Sequence, residues 1–375
     1  MNLIPPLISQ GHVQAAVNGC LGLITLNRPQ ALNALTLPMI RDLTALLQHW
    51  EAHPVIQAVV VLGANREGKP PAFCAGGDIR FFYQAALAQD ESLWDFFTEE
   101  YALVHRIHHY PKPYIALMDG IVMGGGMGIS QGARLRVVNE HSKLAMPECH
   151  IGLFPDVGGG WFLGQCPGHT GEWLALTGQA IGAGDGINLG LADVYVPSAG
   201  WAGMVAALQM EPQASAEHVV ATVMERAELA PEPRWLHERS GIDRCFSAST
   251  TAHITQALEA EATQAGTWAS EALQSLQANS PLAMARTLEL LRRARTLSLA
   301  DELRLELDLV HRCFEPAWRE AHSDTVEGIR ALAIDKDQAP VWQPADVASV
   351  TVDQVARSFL SPWALSQHPL RALTP

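Results

Sequence analysis

The chain has 375 residues, of which 48% are hydrophobic and 17% charged, a composition typical of a globular protein with a sizeable core. Its formal net charge of -14 argues against general nucleic-acid binding, because neutralising phosphates requires clustered lysines and arginines. The six cysteines show no C-x-x-C pairing, and no basic segment followed by an apolar one occurs near the N-terminus. We therefore expect a cytoplasmic protein that does not enter a membrane.

Four short runs rich in β-branched and other apolar residues predict strands, at residues 21–26, 58–62, 114–118 and 135–138. Helical periodicity follows the first two, over residues 36–52 and 91–109. This alternation predicts an α/β fold with parallel strands. From about residue 165 helical patterns dominate, and Ser298 with Asp301 has the form of a helix cap. We expect an α/β core over residues 1–195 and a helical region over residues 196–375 that completes the fold.

The first unusual stretch is FCAGGDIR, residues 73–80, directly after a predicted strand. Small residues allow a ligand to lie against the backbone, and the N–H of Gly77 can face a carbonyl oxygen. A turn in which Asp78 caps the following helix explains the same residues equally well.

The second stretch is DGIVMGGGMG, residues 119–128, where three successive glycines stand at a predicted helix start. Such a start leaves backbone N–H groups free for an oxyanion, although a close helix–helix contact also requires small residues. The overlapping pattern G-x-S-x-G would make Ser130 an α/β-hydrolase nucleophile. That motif needs a strand running directly into the serine, and the predicted strand ends at Met118, so we interpret the match as chance.

The third stretch is AMPECHIGLFPDVGGG, residues 145–160, which places two acids among apolar residues. Burying a carboxylate is costly unless it is paired or functional. An ion pair is the alternative for Glu148, and the cap of a helix opening at Gly158 is the alternative for Asp156. A further acid, Glu100, flanks the apolar face of the helix predicted over residues 91–109. It could reach into a pocket or be a solvated flank residue.

Together these stretches resemble the crotonase, or enoyl-CoA hydratase/isomerase, superfamily. LNRPQALNAL at residues 26–35 is similar to its N-terminal signature, and AGGD at 75–78 and GGG at 124–126 resemble its two oxyanion-hole segments. The resemblance implies a crotonase-like spiral of ββα units in which the N–H groups of Gly77 and Gly125 hold a thioester oxygen.

Within the superfamily the chain resembles the 3-hydroxyisobutyryl-CoA hydrolase branch of valine breakdown. Hydratases carry a catalytic glutamate two residues after the triple glycine, where this chain has Gly128. They usually have a small residue where this chain has Asp156. The similarity continues through EGIRA at residues 327–331 and IDKDQAPVW at residues 334–342, and is weakest between about 200 and 275.

This resemblance implies hydrolysis of a short 3-hydroxyacyl-CoA thioester. Glu148 would be the general base or the nucleophile, and Asp156 would bind the 3-hydroxyl or share the proton transfer. Glu100 would help to orient the same end of the substrate, so the substrate-binding residues would be Glu100, Gly125, Glu148 and Asp156. Hydration or isomerisation of an enoyl-CoA and a non-enzymatic acyl-CoA-binding protein remain the alternatives.

Coenzyme A would lie along the loop at residues 75–80, and the residues assigned to it are Arg28, Ala75, Asp78 and Arg80. No metal and no separate cofactor is implied, because coenzyme A is part of the substrate. Crotonase relatives commonly form trimers and hexamers, so the resemblance allows a homo-oligomer.

Overall fold

The secondary structure is given by a computed structural model that describes residues 3–210, 213–263, 267–319 and 321–375. The strands in this part of the chain are β1 (Val13–Asn18), β2 (Leu21–Leu26), β3 (Ala58–Gly63), β4 (Ala72–Cys74), β5 (Tyr114–Met118), β6 (Ile121–Met123), β7 (Leu135–Val138), β8 (Lys143–Ala145) and β9 (Val194–Tyr195). The α-helices are α1 (Leu37–Ala52), α2 (Ile79–Ala88), α3 (Ser92–His108), α4 (Gly125–Gln131), α5 (Gly159–Gly164), α6 (Thr170–Thr177), α7 (Ala183–Asn188), α8 (Ser198–Met210), α9 (Ala216–Met224), α10 (Arg239–Phe246), α11 (Thr251–Ala262), α12 (Thr267–Ala278), α13 (Pro281–Ala294), α14 (Leu299–Trp318), α15 (Asp324–Ile329) and α16 (Val352–Ser358).

The predicted strands are confirmed. β2, β5 and β7 begin and end at the predicted residues, and β3 is one residue longer than predicted. The two predicted helices are also present, as α1, for which Thr36 is the N-cap residue, and as α3. The sequence therefore identified the α/β class correctly. Ser298 likewise caps α14, since its side chain accepts a hydrogen bond from Asp301 N.

The larger sheet has six strands in the order β1-β2-β3-β5-β7-β9. β1 is antiparallel to β2, and each of the other pairs is parallel. The smaller sheet has the order β4-β6-β8. Its three strands have three residues each, too few to show an alternating pattern, which explains why the sequence did not reveal them.

The order of elements along the chain repeats. β3 and β5 belong to the larger sheet, and each is followed by a strand of the smaller sheet and then by a helix, α2 or α4. β7 is followed in the same way by β8 and by a short 3₁₀ turn at Glu148–Ile151. This repeat corresponds to the predicted ββα units.

The described chain divides into two compact units. The first consists of Met1–Gly77, Ala102–Leu144 and Ile181–Arg234, and it contains the six-stranded sheet. Its core is built by β-branched and leucine side chains of the parallel strands, which pack with apolar residues of α8 and α9 such as Met204 and Val219. Such nearly continuous apolar strands are typical of parallel sheets covered by helices.

The second unit consists of Asp78–Tyr101, Ala145–Ala180 and Trp235–Pro375. Its interior contains an aromatic cluster in which the ring centroids of Phe82 and Phe96 are 4.7 Å apart and those of Phe97 and Phe314 are 5.7 Å apart. After β9, which ends at Tyr195, the described elements are helical. The predicted boundary at residue 195 stays a prediction.

Candidate active site

The glycines of the two segments lie side by side in the first unit. β4 and β6, which lead into these segments, pair in parallel, with Cys74 opposite Val122. Gly76 has a φ of 104°, a conformation that favours glycine. A methyl group added to it would lie 3.5 Å from the backbone nitrogen of Gly125. The backbones of the two predicted oxyanion segments are therefore adjacent.

The directions of two amides follow from this backbone. The carbonyl of Gly76 accepts a hydrogen bond of 2.8 Å from Leu35 N. Because C=O and N–H point in opposite directions across a trans peptide, the N–H of Gly77 faces away from Leu35. Gly125 is the first residue of α4, so its N–H has no acceptor within the helix. The role of both amides as an oxyanion hole stays a prediction.

Ser130 is an interior residue of α4 and is fully buried. Its hydroxyl donates to the backbone carbonyls of Gly126 and Met127, at 2.8 and 3.0 Å, the usual bonding of a serine within a helix. An α/β-hydrolase nucleophile would instead stand on a sharp turn after a strand. The interpretation of G-x-S-x-G as a chance match is confirmed.

Glu148 opens the 3₁₀ turn of the second unit, and only 7% of its surface is exposed. Its Oε2 is buried without a hydrogen-bond partner in the described structure. Burial raises the pKa of this carboxyl well above its usual range, and the charge of Asp156 raises it further. A partner cation would lower the pKa, so the ion-pair alternative is wrong. A buried carboxyl with a raised pKa is suited to acid–base chemistry.

Asp156 is also buried, and its Oδ2 accepts a hydrogen bond of 2.8 Å from the hydroxyl of Tyr101. Helix α5 begins at Gly159, and its N-cap residue is Gly158, without a side-chain cap. Asp156 therefore does not cap this helix, and that alternative is wrong. Burial raises the pKa of Asp156 to about 7, although the Tyr101 hydrogen bond acts in the opposite direction.

Glu100 is 2% exposed, and its Oε1 has no hydrogen-bond partner among the described residues. The alternative of a solvated flank residue is wrong. Burial raises the pKa of Glu100 well above its usual range, and the charges of Asp156 and Glu148 add to this. The structure thus brings the three predicted acids together within the second unit.

The sequence profile of the enoyl-CoA hydratase/isomerase family matches residues 21–359. The chain belongs to this family. Among curated family members, it is similar to the 3-hydroxyisobutyryl-CoA hydrolase, mitochondrial, of Rattus norvegicus, with 40% identity over 92% of this chain and 87% of that protein. The protein of the same name from Homo sapiens is 39% identical over the same shares of the two chains.

Two solved structures of family members resemble the fold over nearly the whole chain. One is titled an enoyl-CoA hydratase from Rhodobacter sphaeroides 2.4.1, with a TM-score of 0.84 and 39% identity, covering 97% of this chain and 99% of that one. The other is titled a carnitinyl-CoA dehydratase from Mycobacterium thermoresistibile, with a TM-score of 0.83 and 38% identity, covering 93% and 96%. The predicted crotonase-like fold is confirmed.

Three residues of this family member escaped the sequence reasoning. Tyr101 follows Glu100 in the sequence, but it is 55 positions from Asp156. Its hydrogen bond to Asp156 is therefore visible only in the structure. Glu302 and Glu306 are fully buried on α14. A signal for them existed, because both fall at helical spacing within the apolar stripe of α14 instead of on its polar side.

The four residues assigned to coenzyme A form hydrogen bonds within the protein, and one of them is exposed. Arg28 Nη1 donates to the carbonyl of Ala34 at 3.1 Å. The backbone N–H of Ala75 donates to the carbonyl of Leu32 at 3.0 Å. Asp78 caps α2, as its alternative reading predicted, and Arg80 is exposed. Their contacts with coenzyme A stay predictions.

None of the helices in the described ranges is long and apolar enough to cross a membrane. The same part of the chain contains no group of three or more histidine, cysteine or acidic side chains that could hold a metal ion.

Proposed function

We propose that this chain hydrolyses a short 3-hydroxyacyl-CoA thioester, with 3-hydroxyisobutyryl-CoA as the preferred substrate. The observation that carries the proposal is the gathering of Glu100, Glu148 and Asp156 in one buried cluster, each with a raised pKa. Perturbed carboxyls of this kind concentrate at catalytic sites. The names of the curated relatives in the rat and in humans support the same substrate.

In the proposed reaction the thioester oxygen becomes negatively charged as its carbonyl carbon is attacked. The N–H groups of Gly77 and Gly125 would donate to this oxygen. Removing one such preorganised donor typically costs about 3 kcal/mol of transition-state stabilisation. The support for this assignment is the adjacency of Gly76 and Gly125 and the direction of the two amides.

Glu148 would act in one of two ways. As a general base, its carboxylate takes a proton from water, and the resulting hydroxide forms a bond to the carbonyl carbon. As a nucleophile, it attacks that carbon itself and forms a mixed anhydride that water then cleaves. In both cases the C–S bond breaks, and the departing thiolate takes a proton. Asp156 would bind the 3-hydroxyl of the acyl group or share this proton transfer, and Glu100 would orient the same end.

Enoyl-CoA hydration is the second candidate, because the two solved structures carry the titles of a hydratase and a dehydratase. The residue at position 128 opposes it. Water addition in this superfamily uses a glutamate at that position of the sequence pattern, and Gly128 has no side chain that could move a proton. The presence of an acid at Asp156 in place of a small residue also favours hydrolysis.

The test supplies the purified protein with 3-hydroxyisobutyryl-CoA, 3-hydroxypropionyl-CoA and crotonyl-CoA in parallel. A thiol reagent follows release of free coenzyme A, and the enoyl absorbance follows hydration. We expect thiol release from the two hydroxyacyl esters and a stable enoyl absorbance. Loss of that absorbance without thiol release would establish the hydratase, and no turnover of the three esters would favour a binding protein.

The proposed reaction needs no cofactor besides the coenzyme A of the substrate. For the compartment we propose the cytoplasm, because the six cysteines show no C-x-x-C pairing in the sequence and all are buried, as expected of core thiols in a reducing compartment. The curated relatives are named mitochondrial. Fractionation of cells with an antibody to this chain distinguishes the two locations.

A further inference from the structure

The turn that follows Asp156 has an unfavourable backbone. Val157 has a φ of 57° and Gly158 a φ of 85°, so two successive residues adopt left-handed conformations. For a β-branched residue such as Val157 this conformation is a marked outlier. Strained backbone of this kind persists only where surrounding contacts hold it.

The contact that holds this turn comes from Glu306 of α14. Its Oε2 accepts a hydrogen bond of 2.9 Å from Gly158 N, and its Oε1 accepts one of 3.4 Å from Gly160 N. These amides lie at the start of α5, where backbone N–H groups lack acceptors within the helix. One fully buried carboxyl thus binds two amides of the turn.

Glu302, one helical turn before Glu306, approaches the same segment. A methyl group added to Gly160 would collide with Glu302 Oε1, so glycine at this position allows the close approach. Burial raises the pKa of Glu306 well above its usual range, and the charges of Glu302 and Asp156 raise it further. The hydrogen bond from Gly158 N acts in the opposite direction and favours the carboxylate, whose two oxygens both accept from amides of the turn.

The geometry points to Glu306 as a positioning residue, which fixes the turn at residues 156–160 and so holds the Asp156 carboxyl in place for the reaction. The turn is held from one side by Glu306, and the Asp156 side chain is held from another by the hydroxyl of Tyr101. The effect on catalysis rests on the proposed function. The anchoring of the turn by Glu306 is independent of that function.

Three variants separate positioning from stability. Glu306→Ala removes both acceptor oxygens, and Glu306→Gln keeps one side-chain oxygen of the same reach but replaces the other by an NH2 donor. The control is Val310→Ala. Val310 is a buried residue one turn further along α14, and its truncation lowers stability without removing these hydrogen bonds. For Glu306→Ala we expect kcat to fall by about 10- to 100-fold with KM nearly unchanged, because small displacements of a reacting group cost that much. Glu306→Gln, which can accept one of the two hydrogen bonds, should recover part of kcat, and Val310→Ala should lower Tm but leave kcat close to that of the unaltered protein.

A second measurement does not depend on the reaction. Hydrogen exchange, followed by mass spectrometry of peptides spanning residues 154–163, reports whether the amides of Gly158 and Gly160 remain protected. We expect faster exchange in Glu306→Ala than in Val310→Ala, and intermediate protection in Glu306→Gln. Unchanged exchange in Glu306→Ala, or an equal fall of kcat in Val310→Ala, would overturn the inference. Failure of the unaltered protein to hydrolyse its substrate would instead reject the proposed function. The hydrogen-exchange result would still show whether Glu306 anchors the turn.

Discussion

The hydroxyl of Tyr101 donates to the carboxyl of Asp156 over 2.8 Å, and both groups are buried. Burial raises the pKa of Asp156 to about 7, and the hydrogen bond from Tyr101 opposes this rise. Tyr101 thus favours the ionised form of Asp156, against the larger effect of burial. In return, burial and the charge of Asp156 raise the pKa of the Tyr101 phenol, so this hydroxyl keeps its proton and remains a donor.

Replacing Tyr101 by phenylalanine should shift the pH dependence of hydrolysis. The change removes a hydrogen bond that favours the carboxylate, so the pKa of Asp156 rises above about 7. A hydrogen bond to a charged group is worth about 1.5–3 kcal/mol, which corresponds to a shift of about 1–2 pH units. Measured as kcat/KM against pH, the limb controlled by Asp156 should move to higher pH by this amount.

Tyr110→Phe is the matched control for this shift. The hydroxyl of Tyr110 donates to the carbonyl of Leu47 at 2.9 Å within the first unit, whereas the three acids belong to the second. Its loss should leave the profile unchanged. If the pH profile of Tyr101→Phe coincides with that of Tyr110→Phe, Asp156 does not control this limb of the profile.

The buried acids should make the fold less stable as pH rises. The folded pKa of Asp156 is about 7, above the value of about 4 for an unfolded aspartate, so the folded state binds a proton more tightly. The contribution of this proton to the free energy of unfolding is complete below about pH 4, and it is lost as pH rises to about 7. For one fully coupled proton the slope is about 1.4 kcal/mol per pH unit.

Asp156→Asn removes this titration and keeps an acceptor for Tyr101. Urea unfolding between pH 5 and 8 should therefore show a smaller decline in the free energy of unfolding for Asp156→Asn than for the unaltered protein. Glu289→Gln, which changes a surface acid paired with Arg293, should leave the slope as it was. A steeper decline in Asp156→Asn would contradict the direction of the pKa shift.

A methyl group at Gly76 should impair hydrolysis more than it impairs stability. Gly76→Ala places a side chain at a φ of 104°, and its Cβ would lie 3.3 Å from Met123 O and 3.5 Å from Gly125 N. Gly11→Ala introduces a similar backbone strain at a φ of 85°, with nothing within 4 Å of the new carbon. Both should cost about 1–2 kcal/mol of stability.

We expect kcat to fall about 100-fold in Gly76→Ala alone, because the amides next to the thioester oxygen are displaced. Thermal unfolding and thiol release, measured on both variants, check this difference. Equal activity in the two variants would remove the support for the pair of amides as an oxyanion hole.

The fold was predicted where the chain carries periodicity. The apolar runs of β2, β3, β5 and β7 and the repeat of apolar residues in α1 and α3 are visible without a structure. The smaller sheet is not visible, because strands of three residues show no alternation. The edge strand β1 is largely half-buried, and it contrasts weakly with its surroundings.

The site was predicted where glycines or acids interrupt an expected pattern. Glu148 and Asp156 stood out because they are acids in apolar surroundings, and Gly77 and Gly125 because they lie in glycine-rich turns. Tyr101 did not stand out, since a tyrosine is an ordinary residue of a helix, and the sequence signal for Glu306 was limited to its position within the apolar stripe of α14. Their roles depend on distances in space, and Glu306 is 148 positions from Gly158 in the chain.

The central claim is that Glu148 performs the chemistry of thioester hydrolysis, and Glu148→Gln tests it most directly. Gln matches the shape of the carboxyl but neither takes a proton from water nor attacks the carbonyl carbon. The measurement is the rate of thiol release from 3-hydroxyisobutyryl-CoA by Glu148→Gln, with Glu289→Gln as the control. We predict a loss of about 10²–10⁴-fold in kcat with an unchanged fold. Thiol release by Glu148→Gln at the rate of the control would contradict the account.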